Sequence, residues 1–239
     1  MDMKNQTRIF TVEGNIGSGK STFVRNLRNW YMKTHPGFEI VFLEEPVKKW
    51  KSIKDKHNMS ILEKFYTNQS KYAFAFQMMA YISRLAALKQ AVEQNPNAVI
   101  ITERSLYTDK EVFAKMLYED GKIEEVEYQI YLEWFNEFQK EYPLEGIIYL
   151  VTDYKTCHER IEKRSREGES NISMFYLNLC ANYHNKWICD DCFEKRVLEI
   201  DVTQNITPDV VEIWFCKFHE FITNMKNASH SKYHYSNCI

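Results

Sequence analysis

Glycine is scarce in this chain, seven in 239 residues, and proline scarcer at five, so the sequence is neither collagen-like nor a run of low-complexity linkers. No apolar run approaches the roughly 20 residues needed to cross a bilayer. The opening MDMKNQTRIF has neither the apolar region of a signal peptide nor an Arg-rich amphipathic presequence, so a cytoplasmic protein is expected. Charge of one sign is lacking too: 31 Lys+Arg against 33 Asp+Glu leave a net charge of -2, with no global field for a polyanion such as DNA. Neither nucleic acid nor membrane is therefore an expected partner, although a free nucleotide is compatible with this balance. The six cysteines, at 157, 180, 189, 192, 216 and 238, lack a secretory context and read as reduced thiols. Cys189 and Cys192 form a lone CxxC without a second pair, so structural zinc is not expected.

What is present reads as one globular domain over residues 1–239, with 44% hydrophobic and 27% charged residues and a fraying tail from about 225. Short β-rich runs recur: RIFTVEG near 8, FEIVFLEE near 38, AVIITE near 98, GIIYLV near 146 and RVLEID near 196. Helix-length segments separate them, which predicts βαβ units, a mostly parallel sheet and active residues at the carboxyl ends of strands. Residues 61–94 contain no Gly or Pro and predict one or two long helices; 109–141 predicts another helical stretch broken near Gly121. The basic run KKWKSIKDK, 48–56, reads as a solvated loop.

Three of the seven glycines fall in VEGNIGSGKST, residues 12–22. Gly14, Gly19, Lys20 and Ser21 satisfy G-x-x-x-x-G-K-[ST] between an apolar strand and the amphipathic TFVRNLRNWY. Glycines let successive backbone N–H groups turn toward phosphate oxygens and the helix N-terminus adds positive dipole. In that pattern Lys20 reaches the β- and γ-phosphates and Ser21 ligates Mg²⁺. Residues Gly14, Asn15, Ile16, Gly17, Ser18, Gly19, Lys20, Ser21 and Thr22 are thus a candidate site for ATP or another nucleoside triphosphate.

Further charged groups stand at the other strand ends. The second strand stops at Glu44-Glu45-Pro46, the third at Glu103-Arg104-Ser105, and the fourth leads into TCHERIEKRSREGE with Arg160, Arg164 and Arg166. Gln77, Ala80 and Arg84 share one face of the long helix, and a buried amide and guanidinium there need polar partners.

The stretches EGNIGSGKST, EEPVKKW, FAFQMMAYISR, ERSLYTDKEVF and RIEKRSREGE, in this order, resemble the deoxyribonucleoside kinases of the deoxycytidine, deoxyguanosine and mitochondrial thymidine kinase type. The resemblance covers nearly the whole chain. It implies an α/β P-loop kinase fold, a five-stranded parallel sheet flanked by helices with an arginine-rich lid, and a homodimer formed through helices. It also implies roles. Glu45 would be the carboxylate at the acceptor 5'-hydroxyl, Arg104 would touch the 5'-oxygen and the transferring phosphoryl group, and Glu103 would hold Mg²⁺ with Ser21. Arg160, Arg164 and Arg166 would be lid arginines, and Glu169 with Tyr66 would reach the sugar 3'-hydroxyl. Gln77 would pair with the base edge beside Ala80, Arg84 and Asp109, with Phe113 stacking and Trp50 and Phe76 as apolar walls. The backbone around Asp201 and Val202 would meet the donor base. The position before Tyr176 departs from the family, holding Phe175 where an acidic or basic residue is common. Phe65, before Tyr66, is bulky. Because thymidine-accepting relatives carry uncharged residues where this chain has Arg84 and Asp109, the resemblance favours deoxycytidine or a deoxypurine nucleoside over thymidine.

Two other readings compete. A nucleoside monophosphate kinase of the thymidylate kinase kind shares the loop and lid but needs arginine near the second strand, where Glu45 stands and would repel an acceptor phosphate. A non-catalytic protein on the same fold would not need Lys20, Ser21, Glu45, Glu103, Arg104 and the lid arginines together.

Overall fold

The computed structural model describes residues 7–164, 172–188, 196–203 and 206–228. Arg166 and Glu169, the Cys189–Cys192 pair and the tail beyond 228 lie outside the described residues. In chain order the elements are β1 (Arg8–Glu13), α1 (Lys20–Thr34), β2 (Ile40–Leu43), α2 (Val47–Ser52), α3 (Ile61–Thr67), α4 (Gln69–Gln94) and β3 (Val99–Glu103). A short α5 (Leu106–Thr108) runs into a π-helical segment, Asp109–Ala114, and α6 (Lys115–Glu119). Then come α7 (Glu125–Phe138), β4 (Leu144–Val151), α8 (Tyr154–Arg164), α9 (Met174–Ile188), β5 (Val197–Asp201) and α10 (Pro208–Ala228).

All five expected strands form, in one parallel sheet of order β2-β3-β1-β4-β5. VIITE in β3 is buried throughout, as is RIFTVE after its first residue, the mark of strands covered on both faces. Strand order reverses at β1, which has β3 on one side and β4 on the other. Val12 pairs with Glu103 at the carboxyl ends, so the loop after β1 and the residues after β3 open into one crevice, where such sheets take ligands.

The 61–94 stretch resolves into two helices separated at Asn68, whose side chain accepts from the Lys71 N–H and starts α4. Ser60 and Glu63 form a reciprocal capping box on α3. The inward stripe of α4 contains Phe76, Gln77, Ala80, Tyr81, Ser83, Arg84 and Leu88, so polar groups share its buried face with the apolar ones. The solvated loop expected over 48–56 is partly helical: α2 covers Val47–Ser52 because Trp50 is buried against Phe76 and donates to Ser83 Oγ at 2.8 Å. Lys48 and Lys49 on that helix remain exposed, as a basic run should.

The chain divides into two compact units, Met1–Asn205, which holds the sheet, and Ile206–Ile239, whose described part is α10. Among the described residues no helix is long and apolar enough to cross a membrane.

Candidate functional site

Gly14 leaves β1 with φ 144°, and a Cβ on it would lie 2.8 Å from Ser18 Oγ and 2.9 Å from the Leu150 carbonyl oxygen. Only glycine fits that approach. Gly19 is left-handed at φ 99°, stands at the start of α1 without a side-chain cap, and has open space where a Cβ would be. The first N–H groups of α1 have no acceptor within the helix, as at any uncapped N-terminus. Asn15 anchors the loop: its amide donates to the Leu177 carbonyl at 2.8 Å and its Oδ1 accepts from the Ile16 N–H at 2.8 Å.

Lys20 is buried, with Nζ 3.0 Å from the Gly14 and 2.6 Å from the Asn15 carbonyl oxygens. Burial pushes its ammonium down to about 7, with Arg104 adding to the effect and Glu103 and Glu45 opposing it. Between about 7 and the unfolded value of 10.5 the folded chain holds fewer protons here than the unfolded one, so this group makes stability rise with pH across that window. A phosphate chain beside Nζ favours the charged form and reverses the shift. Nucleoside triphosphate binding at pH 8 is therefore expected to be accompanied by proton uptake at this site. Calorimetry in buffers of different ionisation enthalpy measures it, and uptake that persists in Lys20→Met assigns the proton elsewhere.

Ser21 Oγ donates to Glu103 Oε1 at 2.6 Å across 82 positions of sequence, placing a hydroxyl and a carboxylate side by side next to the loop. One residue on, Arg104 turns left-handed at φ 63°, a conformation that costs a non-glycine residue of the order of 1 kcal/mol or more. Its guanidinium lies over the Phe113 ring at 4.8 Å and its Nε meets Glu45 Oε1 at 3.3 Å. Glu45 Oε1 also accepts from Arg84 Nη2 at 3.2 Å. Burial alone would raise the Glu45 carboxyl, but Arg104, Arg84 and Lys20 outweigh it and hold the group below its ordinary value. It is ionised at neutral pH.

Arg84 is committed on every side: Nε to Asp109 Oδ2 at 2.9 Å, Nη2 to Asp109 Oδ1 at 3.3 Å, and Nη1 to the Glu103 carbonyl at 2.7 Å. Burial opposes its charge, yet Asp109 and Glu45 hold it more firmly protonated than usual. Asp109 opens the π-helical segment and Phe113 lies within it, a rare backbone form that is frequent at functional sites. Gln77, on the same helix as Arg84, is buried at 2% exposure. Trp50, Phe76 and Phe65 form the apolar wall, Phe65 stacked on Phe76 at 4.6 Å and Phe76 edge-on to Trp50 at 5.4 Å.

Glu45, Arg84, Glu103, Arg104 and Asp109 thus form one connected group, with Ser21 bonded to Glu103 and Lys20 in its field. Ala80 is buried and Tyr66 half-buried; Tyr66 packs on the apolar wall through Phe65 at 5.1 Å. Arg160 instead donates to the carbonyls of Ser18 at 3.2 Å and Val202 at 2.7 Å, tying the loop after β1 to the end of β5. Arg164 ends α8 exposed. The Asp201 carboxylate turns to the Thr203 N–H at 2.9 Å, and Thr22 is exposed on the first turn of α1.

The chain matches the deoxynucleoside kinase family over residues 10–225. It belongs to that family. It is 32% identical to deoxycytidine kinase 2 of Gallus gallus over 237 residues, covering 87% of each chain. It is 33% identical to a mitochondrial deoxyguanosine kinase of Xenopus laevis, over 77% of this chain and 74% of that one. It is 31% identical to the deoxycytidine kinase of Homo sapiens, over 92% of this chain and 91% of that one. The protein is accordingly a kinase that phosphorylates deoxynucleosides from a nucleotide donor.

Sequence reasoning passed over two buried ionisable groups in this kinase. Glu13, the last residue of β1, is fully buried, accepts from Thr11 Oγ1 at 2.7 Å and has its carboxyl pushed up by burial. His184 on α9 lies 3.3 Å from Arg104 Nη1. Nothing local marks either one, since their partners are distant in sequence or defined only by side-chain direction.

Proposed function

We propose that this kinase transfers the γ-phosphoryl group of ATP or another nucleoside triphosphate to the 5'-hydroxyl of deoxycytidine or a deoxypurine nucleoside, in preference to thymidine. The observation that carries the substrate choice is the Arg84–Asp109 pair, buried and doubly bonded, on the same helix face as the buried Gln77. Gln77 would read the donor and acceptor edge of the base, while thymine alone among the four would bring a 5-methyl group toward this charged pair. The ionised Glu45 orients the acceptor hydroxyl, and Arg104, held beside it, faces both the 5'-oxygen and the phosphoryl group in flight. Ser21 and Glu103 fit Mg²⁺, which takes one or two protein oxygens and completes its shell with phosphate and water. When bound, it neutralises charge on the β- and γ-phosphate oxygens. Lys20 and the N-terminus of α1 add positive potential toward the same oxygens, and Arg160, Arg164 and Arg166 are assigned to the lid. Glu45 speaks against an acceptor that already bears a phosphate, since a fixed anion stands at its entrance.

The deciding experiment is a phosphorylation assay across the four natural deoxynucleosides, with ATP and with UTP as donor. The expected result is the highest kcat/KM for deoxycytidine, deoxyadenosine or deoxyguanosine. Preference for thymidine, or for a nucleoside monophosphate as acceptor, overturns the reading.

We further propose a homodimer joined through α4 and α7. Val126, Ile130 and Trp134 recur every fourth residue on α7 and are 66%, 43% and 50% exposed, and Ile82 on α4 is 50% exposed. The two helices are linked where the Tyr81 hydroxyl donates to the Trp134 carbonyl at 2.9 Å. Light scattering should find a dimer that Ile130→Glu with Trp134→Glu converts to a folded monomer. An unchanged mass in the double variant places the contact elsewhere.

A further inference from the structure

His184 is fully buried on α9, and both of its ring nitrogens are spoken for. Nδ1 lies 2.7 Å from the Cys180 carbonyl oxygen, one helical turn back, which can only accept, so Nδ1 carries the hydrogen. In the neutral ring Nε2 is then a bare acceptor, and the group it faces at 3.3 Å is Arg104 Nη1, which can only donate. The two contacts therefore agree on one tautomer. The ring has little freedom to leave it: Phe113 meets it edge-on at 6.2 Å and Tyr149 lies nearly parallel at 6.4 Å, with the Tyr149 hydroxyl held by Asn185 Oδ1 at 2.8 Å. Protonation would set an N–H against the guanidinium, and burial together with Arg104 holds the imidazole well below its ordinary value.

Arg104 needs such a constraint. Its backbone is left-handed, and its side chain leaves the carboxyl end of β3 into a polar crevice where Glu45 and Glu103 could each draw a guanidinium aside. Three groups define its position: Glu45 on Nε, the Phe113 ring beneath the plane, and His184 on Nη1. Nη2 makes no hydrogen bond to any described residue. We propose that His184 is a positioning residue, a neutral acceptor that fixes the rotation of the Arg104 guanidinium so that Nη2 is presented to the phosphoryl group. The inference rests on the role given to Arg104 under Proposed function. It adds that the geometry of that role is set from α9, 80 positions away in sequence.

Three substitutions separate the two faces of the ring. Gln can place an acceptor oxygen where Nε2 stands, Asn can keep the donor to the Cys180 carbonyl without reaching Arg104, and Phe keeps the shape without either bond. The expected result is a loss in kcat of about 10- to 100-fold for His184→Phe and His184→Asn, with KM for the nucleoside changed less than about threefold. His184→Gln recovers most of the rate. In an Arg104→Ala background His184→Phe should cost nothing more. Full turnover by Arg104→Ala overturns the role of Arg104 and this inference with it; an inactive Arg104→Ala beside a fully active His184→Phe overturns this inference alone. Equal losses in all three variants, tracking their melting temperatures, make His184 a packing residue only. Nitrogen-15 shifts of His184 in the wild-type protein test the premise without substitution, and a protonated Nε2 refutes it.

Discussion

Glu45→Gln is expected to remain folded and lose about 10³-fold in kcat, with nucleoside binding weakened far less. The change is isosteric but reverses one side of the contact: the carboxylate oxygen that accepts from Arg84 at 3.2 Å and meets Arg104 at 3.3 Å becomes part of an amide, with at most one acceptor left. It also removes the anion that holds the acceptor hydroxyl in line, and a positioned acid or base is worth roughly 10² to 10⁴ in rate. The pH profile supplies a second check. Because Arg104, Arg84 and Lys20 hold the Glu45 carboxyl below its ordinary 4.5 against the pull of burial, its contribution to stability is complete above 4.5 and lost only as pH falls through the lower folded value. The kinase should therefore show no loss of kcat/KM assignable to Glu45 between pH 8 and about 5.5. Steady-state kinetics with saturating donor, beside a melting curve for each protein, measure both effects. Turnover at the native rate by the Glu45→Gln variant removes Glu45 from the chemistry.

The largest change in specificity is expected from Arg84→Met combined with Asp109→Ala. Arg84→Met alone leaves the buried Asp109 carboxyl without its cation, whereas Asp109→Ala alone removes two of the four bonds of Arg84 and leaves those to Glu45 and the Glu103 carbonyl. Asp109 is 2% exposed with its carboxylate doubly bonded to Arg84, and breaking such a pair from one side costs about 3 to 5 kcal/mol. For a chain of this length that is a fall in melting temperature of about 10 °C. The double variant leaves neither charge unpaired and opens space where the thymine methyl would lie. The thymidine to deoxycytidine ratio of kcat/KM should rise by about 10², within the roughly 10⁴ that a pocket built on hydrogen bonds can impose. Arg84 also bonds Glu45 and the Glu103 carbonyl, so the double variant is expected to turn over every substrate more slowly than wild type while its preference shifts. Kinetics and melting curves of the wild type, both single variants and the double resolve the two effects. An unchanged ratio means that the pair does not select the base.

Much of this protein is local in sequence. Parallel strands covered on both faces must be continuous apolar runs, so RIFTVE and VIITE declare themselves, and the Gly- and Pro-free helices start at Ser and Asn caps. The phosphate loop is equally legible, because its conformation depends on glycines a few residues apart. The pocket is less local: spacing shows Gln77, Ala80 and Arg84 as one helix face, and its other residues follow from resemblance. What connects those residues belongs to the tertiary structure alone. The approach of Ser21 to Glu103, the four bonds of Arg84 and the facing of Arg104 by His184 join positions 82, 19 to 39, and 80 apart. No period or motif spans such separations. The helix at Val47–Ser52 was hidden for a related reason: its lysines read as solvated, while Trp50 is drawn inward by Phe76 and Ser83. The π-helical turn that carries Asp109 and Phe113 has no composition of its own. Sequence by itself determined the strands, most helices and the phosphate loop, whose causes lie within a few residues. Only the packed fold decided which charges meet, because a buried charge takes its partner from whatever the sheet and helices bring within hydrogen-bond reach.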